Sequence, residues 1–207
     1  MPAEEMEELL VSLSEQVRDR FYGKYRGLVT DVEDPETMGR IVAKVPEVFE
    51  EQETPWAMPA VPFAGAGHGL VLLPEVGDGV WIEFESGDPS RPLWTGFWWG
   101  DGELPAPGAK KTRALVTTAG HQLVLDDEGS EVKLLHSGGA EMKMTGGSIT
   151  LSVGGAEMKM SSTDITISLG ASEIKLTPAD LTLKSGGAQV KLVGAVVNIN
   201  NGSITVM

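Results

Sequence analysis

The sequence predicts an all-β protein in two unlike halves, preceded by a short N-terminal helix. All 12 aromatic residues lie at or before Trp99, and apolar and polar residues alternate with a 16-residue period from residue 138 onward. A stretch rich in glycine and proline, residues 100–108, separates the two patterns. The predicted parts are an N-terminal amphipathic helix (1–22), a small barrel (23–99), a linker (100–116) and a repetitive β-structure (117–207).

The composition excludes several classes of protein. The chain has 207 residues and no cysteine, which excludes disulfides, thiol nucleophiles and thiolate metal sites. No apolar run approaches the roughly 20 residues of a membrane span, and the acidic N-terminus argues against an export signal. The net charge is −14, with 21 acidic and 8 basic residues in 1–110 against 9 and 8 in 111–207. A binder of nucleic acid or anionic membrane normally carries the opposite sign.

The first 22 residues show helical spacing. Acidic residues occupy the first turn, where they favour a helix N-terminus. We interpret the apolar stripe as packing on its own domain or on a sister chain, and docking to an outside partner remains the alternative. The stripe consists of Met6, Leu9, Leu10, Leu13, Val17 and Phe21.

Short runs of strand character follow the helix, bounded by Gly, Pro and Asp. They cover residues 25–32, 40–45, 79–85 and 93–98. Roughly 80 residues with about five strands and long loops suit a small Greek-key barrel of the OB type.

The second half is an internal repeat. Residues 138–201 divide into four rows of 16: GGAEMKMTGGSITLSV, GGAEMKMSSTDITISL, GASEIKLTPADLTLKS and GGAQVKLVGAVVNINN. A fixed period indicates stacked supersecondary units. Within each row apolar and polar residues alternate, so each row predicts two short strands joined by tight turns.

Burying such short strands requires more than one chain. A single coil of 16 residues encloses a very thin core, and Asp164 and Asp180 do not form the ligand series of a calcium-loaded solenoid. Three intertwined chains would close a triangular β-prism, or triple-stranded β-helix, without lateral sheet edges. The predicted trimer axis consists of Met142, Met144, Ile149, Leu151, Met158, Met160, Ile165, Ile167, Ile174, Leu176, Leu181, Leu183, Val190, Leu192, Val197 and Ile199.

One lysine in each row is expected to face solvent. The predicted partners are the residues two positions earlier, in pairs that contribute little singly. These pairs are Glu141–Lys143, Glu157–Lys159, Glu173–Lys175 and Gln189–Lys191.

The residues of the first half resemble a known family. GRIVAKVP at 39–46, Trp56-Ala57 and LPEVGDGVWIEFESGDPSRP at 73–92 are similar to the OB domain of contractile-tail spikes, namely phage baseplate spikes (baseplate assembly protein V) and VgrG proteins. TTAGHQLVLDD at 117–127 resembles the bridge into the family's β-helix. The resemblance covers residues 22–207. It implies a homotrimer of OB barrels followed by a β-helix needle.

The sequence lacks several parts that other members of the family contain, and each difference leads to an expectation. Residues 100–116 leave no room for a lysozyme domain, and no large hub domain precedes the barrel, so the hub is expected to be a separate protein. No His-x-His iron motif is present. The 16-residue repeat continues to the last residue of the sequence. The resemblance implies that a PAAR-repeat tip protein binds the end formed by Ile204, Val206 and Met207. The alternative is a blunt end sealed by Met207.

Motifs of catalysis and ligand binding are absent from the sequence. Gly65–Gly69 lacks phosphate-loop spacing and is interpreted as a barrel loop. His121 is expected to make structural hydrogen bonds. Asp126, Asp127 and Glu128 are expected to form a solvated turn rather than a weak cation site. We predict a protein that is not an enzyme and has no catalytic residue, cofactor or metal.

The predicted function is mechanical. The chain is expected to be the central spike of a contractile injection system, at the end of the inner tube within the baseplate of a virion or secreted particle assembled in the cytoplasm. Expected partners are the chain itself, a hub, a PAAR tip with effector cargo and the target envelope, without nucleic acid. The alternative is an OB module for nucleic acid or carbohydrate on a trimerising stalk. The type of contractile system stays open.

Overall fold

The computed structural model describes residues 5–7, 11, 20–200 and 203–206. The chain divides into two compact units, Met1–Leu104 and Pro105–Met207. Strands are the main regular elements of both units, which confirms the all-β fold class.

Most of the predicted N-terminal helix lies outside the described residues. Residues 5–7 and 11 are helical, whereas residues 20–22 are not. Phe21, which the sequence placed in the helical stripe, packs against the core of the first unit. Its N–H donates to Gly87 O at 2.9 Å, and its ring meets Phe84 edge-on. Phe21 is thus a barrel residue.

The strands of the first unit form an OB-like half-barrel. Four of them coincide with the runs predicted from sequence. The sheet order is β2-β1-β6-β7-β3, antiparallel except for the parallel pair β3–β7, and β4 and β5 form a separate hairpin. The strands are β1 (Tyr25–Asp31), β2 (Val42–Lys44), β3 (Met58–Pro59), β4 (Ala64–Gly65), β5 (His68–Gly69), β6 (Gly79–Phe84) and β7 (Pro92–Phe97). A helical turn, Pro46–Phe49, follows β2, and a 3-10 turn, Glu85–Gly87, follows β6.

Alternation along the strands builds the core of the first unit. In β6, Val80, Ile82 and Phe84 are buried while the residues between them are half-buried on the other face. Trp94 is 2% exposed, and its indole Nε1 donates to Gly39 O at 3.0 Å, so its polar atom has a partner inside the core. The buried core consists of Val29, Ile41, Ala43, Val45, Ala57, Val80, Ile82, Phe84 and Trp94.

The second unit is one antiparallel sheet of twelve strands in sequence order. Each strand pairs with its sequence neighbours within the same chain. The strands of the repeat begin seven to nine residues apart, so two strands occupy each 16-residue row. The strands are β8 (Thr112–Val116), β9 (Gln122–Asp126), β10 (Glu131–Leu135), β11 (Glu141–Thr145), β12 (Ser148–Val153), β13 (Ala156–Ser161), β14 (Ile165–Leu169), β15 (Ser172–Leu176), β16 (Asp180–Ser185), β17 (Ala188–Val193), β18 (Val196–Ile199) and β19 (Ile204–Val206).

Two kinds of turn explain why the period is 16 rather than 8. At one margin of the sheet, Gly154, Gly170 and Gly186 have φ of +59°, +56° and +57° in two-residue hairpin loops. A side chain is strained there, so glycine recurs every 16 residues.

At the other margin, side-chain hydroxyls hold three successive turns, and the next turn there, between β17 and β18, has Gly194 with φ of +58° instead. The Oγ1 of Thr145 accepts the N–H groups of residues 147 and 148, and the Oγ1 of Thr177 accepts those of residues 179 and 180. Ser161 makes the same pair of bonds with residues 163 and 164. These residues are again 16 apart, because successive turns lie at opposite margins.

The segment predicted as a linker, residues 100–116, ends in a strand. β8 pairs with β9 from Thr112↔Asp126 to Val116↔Gln122. The division between the two units, at Leu104 and Pro105, falls within the glycine- and proline-rich part of that segment.

Candidate functional site: the apolar face of the long sheet

Alternate side chains of the twelve-stranded sheet form a continuous apolar face. Met142 lies opposite Leu151, which in turn lies opposite Met158. In a second row, Met144 lies opposite Ile149. Paired residues of an antiparallel sheet project to the same side. The two rows therefore run side by side along the sheet, and we call this surface the apolar face.

All sixteen residues predicted for a trimer axis lie on the apolar face. The first row contains Leu115, Leu123, Leu134, Met142, Leu151, Met158, Ile167, Ile174, Leu183, Val190, Ile199 and Ile204. The second contains Leu125, Val132, Met144, Ile149, Met160, Ile165, Leu176, Leu181, Leu192 and Val197. Twelve of the sixteen are 37% to 49% exposed, and Leu181, Val190, Val197 and Ile199 are half-buried. A continuous apolar surface of this extent is unusual for a face that stays in water.

The opposite face of the sheet carries ion pairs between neighbouring strands. Lys175 Nζ lies 3.1 Å from Asp164, and Lys191 Nζ lies 2.7 Å from Asp180. The hydrogen bond from Ser161 and the charge of Lys175 lower the pKa of Asp164, and Lys191 lowers the pKa of Asp180.

The sequence assigned these lysines to other partners. The sequence predicted as partners the residues two positions earlier on the same strand. The actual partner of each lysine lies at the start of the preceding strand: Asp164 directly precedes β14, and Asp180 is the first residue of β16. Lys143 likewise pairs with Glu131 at 2.7 Å, across the β10–β11 ladder, rather than with Glu141. Register, which brings side chains of adjacent strands together, decides the partner.

Lys159 is the exception in this series. The residue that corresponds to Asp164 and Asp180 is Ser148, one row earlier, and no ion pair of Lys159 occurs among the described residues. Lys159 is exposed, whereas Lys175 and Lys191 are half-buried.

The end predicted to bind a tip is described in part. β19 pairs with β18 on one side, from Val197↔Val206 to Ile199↔Ile204. It is the last strand of the sheet order, and Ile204 is 58% exposed. The side chain of Val206 and the whole of Met207 lie outside the described residues.

The weaker candidates of the sequence have structural roles. Gly65 and His68 pair in the β4–β5 hairpin. Asp126 Oδ1 accepts the N–H groups of Glu128 and Gly129 at 3.0 Å each, as in a polar turn. Over the part of the chain that the structure describes, no group of three or more His, Asp or Glu side chains could hold a metal ion, and no helix has the length and apolar character of a membrane span.

His121 and His136 form a pair that the sequence did not predict. Their ring centroids lie 4.4 Å apart. His121 Nδ1 accepts the N–H of Ser137 at 3.2 Å, and His136 Nδ1 accepts that of Gly138 at 2.9 Å. The structural role expected for His121 thus includes a partner 15 residues away. The contact between the two histidines follows from the register of the β9–β10 hairpin, in which the adjacent residues Gln122 and Leu135 lie opposite each other.

A buried ion pair fixes the loop between β1 and β2 in the first unit. Asp34 Oδ1 lies 2.6 Å from Arg40 Nη2 and 2.9 Å from Arg40 Nε. The carboxylate also accepts the N–H groups of Glu36, Met38 and Arg40. The side chain of Asp34 is 4% exposed, and the hydrogen bonds from Arg40 hold the pKa of its carboxyl well below its usual range. Arg40 also lies over the ring of Trp56, 5.7 Å from its centroid.

The variant Asp34→Asn is expected to lower the thermal midpoint of the first unit at pH 7. The lowered pKa means that the carboxylate stabilises the folded state above about pH 4. This stabilisation is lost as the pH falls further, so the difference from wild type should shrink toward pH 2. Thermal melts followed by tryptophan fluorescence between pH 7 and pH 2 test this. The control is Glu36→Gln, because Glu36 is an exposed partner of Arg40 and should have little effect. A difference that stays constant with pH would contradict the assignment.

Comparison with known proteins finds a similarity for most of the first unit. Residues 25–99 match the family model of the type VI secretion system/phage-baseplate injector OB domain. This segment is similar to the injector OB domain of that family. It contains β1 to β7, and the match supports a structural, baseplate-related role together with other baseplate components. No curated protein sequence matches the chain significantly.

Proposed function

We propose that the chain is the central spike of a contractile injection system, in which three copies join their apolar faces. The observation that carries the proposal is the juxtaposition, in one chain, of an injector OB domain and a long sheet with an open apolar face. The sheet alone would suit any self-associating stalk. The similarity of residues 25–99 to an injector OB domain supports a baseplate context for such a stalk.

Self-association of the sheet follows from its one-sided hydrophobicity. Each aliphatic side chain gains about 1.5–3 kcal/mol when it is fully buried rather than exposed. Three sheets that meet around an axis bury all three apolar faces and leave the lysine-bearing faces in water. Since neighbouring strands are already paired within one chain, the proposed trimer has one complete sheet per face of the prism, rather than strands alternating between chains.

The proposed mechanism is the transmission of force along the sheet. The hydrogen bonds between strands run along the stack, and eleven successive strand pairings connect β8 to β19. At roughly 4.8 Å per pairing the stack is about 50 Å long. A continuous ladder of this kind resists compression without any chemical step. When the sheath contracts, the trimer would pierce the target envelope.

The attachment of the spike to a separate hub is proposed on the first unit. The loop that includes the β4–β5 hairpin exposes a concentration of apolar side chains, which is unusual for a surface that stays in water. We propose that this loop contacts the hub protein of the baseplate. The exposed residues are Phe63, Leu70, Val71, Leu72, Leu73 and Val76.

The tip and cargo are proposed at the last strand of the sheet, β19. β19 is an edge strand, and natural proteins generally cover or blunt such edges. A PAAR-repeat protein, carrying or recruiting effector cargo, would cover Ile204, Val206 and Met207 of three chains. The assembled particle would form in the cytoplasm, with the spike at the end of the inner tube, and leave as a virion or secreted particle.

The proposal is tested in particles purified from the organism that encodes the chain. Wild-type chain and the variant Thr166→Asp, altered on the polar face, should be found in the baseplate and support delivery into target cells. Ile165→Asp, altered on the apolar face, should be missing from particles, and delivery should be lost. Absence of the wild-type chain from purified particles would overturn the proposal.

One observation favours a second candidate, binding of single-stranded nucleic acid or carbohydrate by the barrel. Arg26 lies 5.7 Å from the ring centroid of Trp81 and 5.0 Å from that of Trp98, which resembles a stacking platform. The acidity of residues 1–110 opposes binding of phosphates. Titration of tryptophan fluorescence with an oligonucleotide and an oligosaccharide tests this candidate. Saturable quenching that Trp81→Ala removes would support it, and no quenching would exclude it.

A further inference from the structure

Four methionines of the apolar face lie close together at one level of the long sheet. In the first row Met142 and Met158 flank a leucine, and in the second row Met144 and Met160 flank an isoleucine. All four belong to β11 and β13, which are two strand spacings apart, or about 10 Å. We call these four residues the methionine patch.

The methionine patch is confined to the first two 16-residue repeats, residues 138–169. In the next two repeats the corresponding positions hold apolar residues without sulfur. Methionine differs from these residues in one chemical property, since its thioether can be oxidised to a sulfoxide. The corresponding residues are Ile174 and Leu176 in the third repeat and Val190 and Leu192 in the fourth.

The methionine patch is accessible in the single chain. Its four side chains are 37% to 49% exposed. Two methionines of the first unit have a similar exposure, namely Met38 with 47% and Met58 with 37%. These two residues therefore serve as internal references for the rate at which an oxidant reaches the patch.

A peroxide converts such a thioether to a sulfoxide, and the other product is water. The sulfur lone pair forms an S–O bond as the O–O bond breaks, and the departing hydroxide takes the remaining proton and leaves as water. Sulfur is oxidised and the peroxide is reduced. The product is a polar side chain in place of a flexible apolar one, and this change disrupts interfaces rich in methionine.

The surroundings of the methionine patch on the apolar face cannot satisfy a sulfoxide. The cross-strand partners of all four residues are aliphatic, so none of these side chains can donate a hydrogen bond to the new oxygen. A polar group that is buried without a partner opposes association. The partners are Leu134, Leu151 and Ile167 in the first row and Val132, Ile149 and Ile165 in the second.

We propose that the methionine patch makes self-association of the second unit sensitive to oxidation. The inference rests on the proposed association of apolar faces, which would enclose the patch of each chain. Peroxide would oxidise the patch in separated chains and prevent their association, whereas chains that are already assembled would be protected. Methionine sulfoxide reductases, one for each sulfoxide epimer, would restore the ability to associate.

The first test measures how fast each methionine reacts. Full-length chain at pH 8 is treated with dilute hydrogen peroxide, and peptide mass spectrometry follows the sulfoxides. In wild type the patch should react at least about tenfold more slowly than Met38 and Met58. In Ile165→Asp, which is expected to be monomeric, the patch and the two references should react at similar rates. A patch that reacts as fast as the references in a wild-type trimer would overturn both the inference and the proposed interface.

The second test measures association after oxidation. Peroxide is added in guanidinium chloride, where every methionine is accessible, and sedimentation is measured after the denaturant and peroxide are removed. The association constant of oxidised wild type should be at least about a hundredfold below that of untreated wild type, and treatment with both reductases should restore it. A variant without the patch should associate equally well before and after peroxide. This variant is Met142→Leu/Met144→Leu/Met158→Leu/Met160→Leu.

The matched control is Met38→Leu/Met58→Leu, which keeps the methionine patch and should lose association on oxidation as wild type does. Oxidised wild type that associates as well as untreated wild type would overturn the inference. An equal loss of association in the variant without the patch would also overturn it, because the damage would then lie elsewhere. Untreated wild type that is monomeric would instead contradict the proposed function, so the two failures are distinguishable.

Discussion

The variant Ile165→Asp is expected to abolish self-association of the chain. Ile165 lies in the second row of the apolar face, opposite Met160 and Leu176. In a trimer three carboxylates would meet near the axis without cations, at a cost on the order of several kcal/mol per chain. Size-exclusion chromatography with light scattering should find monomers where wild type forms trimers.

The adjacent residue supplies a matched control. Thr166 projects to the opposite face, where it lies opposite Lys159 and Lys175. Thr166→Asp introduces the same charge beside two lysines, so the variant should remain as associated and as heat-resistant as wild type. If both variants associate equally, the apolar face is not the interface. If both dissociate, charge alone rather than its position decides association.

The variant Trp94→Ala is expected to destabilise the first unit by about 3–5 kcal/mol. The change removes the largest buried side chain of this core and leaves Gly39 O without its indole donor. For a domain of this size the thermal midpoint should fall by more than about 10 °C. All aromatic residues lie at or before Trp99, so the near-ultraviolet circular dichroism signal reports this unit alone.

Trp99→Ala is the control for this prediction, because Trp99 is 63% exposed. Its midpoint should stay close to that of wild type. The strand signal of the second unit in the far ultraviolet should persist in Trp94→Ala after the aromatic signal is lost. A single transition, with both signals lost together at the same lowered temperature, would contradict two separately packed units.

The repeat of the second half could be predicted because two local rules act together. Alternation of Ile149, Thr150 and Leu151 predicts a strand with one apolar face, and the recurring glycines and hydroxyl residues mark the turns. The OB strands were predictable for the same reason, since their runs are apolar and bounded by Gly, Pro and Asp. Thr112–Val116 was not predicted as a strand, because the glycine- and proline-rich residues before it dominate the local pattern.

Contacts that depend on the register of strand pairing could not be predicted from the sequence. Lys143 pairs with Glu131 rather than Glu141, and His121 meets His136, because antiparallel pairing joins residues 12 and 15 positions apart. Local spacing gives no preference among such partners until the hairpin loops are fixed. Whether three chains meet on the apolar face also depends on contacts between chains, and it stays a prediction.

The mass of the full-length chain in native solution tests the central claim most directly. Native mass spectrometry and sedimentation equilibrium at micromolar concentration and pH 8 should give three times the chain mass of 22.0 kDa. A well-folded species of 22.0 kDa would show that the apolar face remains open in water, and a dimer would show that two sheets suffice to cover it. Either result would contradict the trimeric spike.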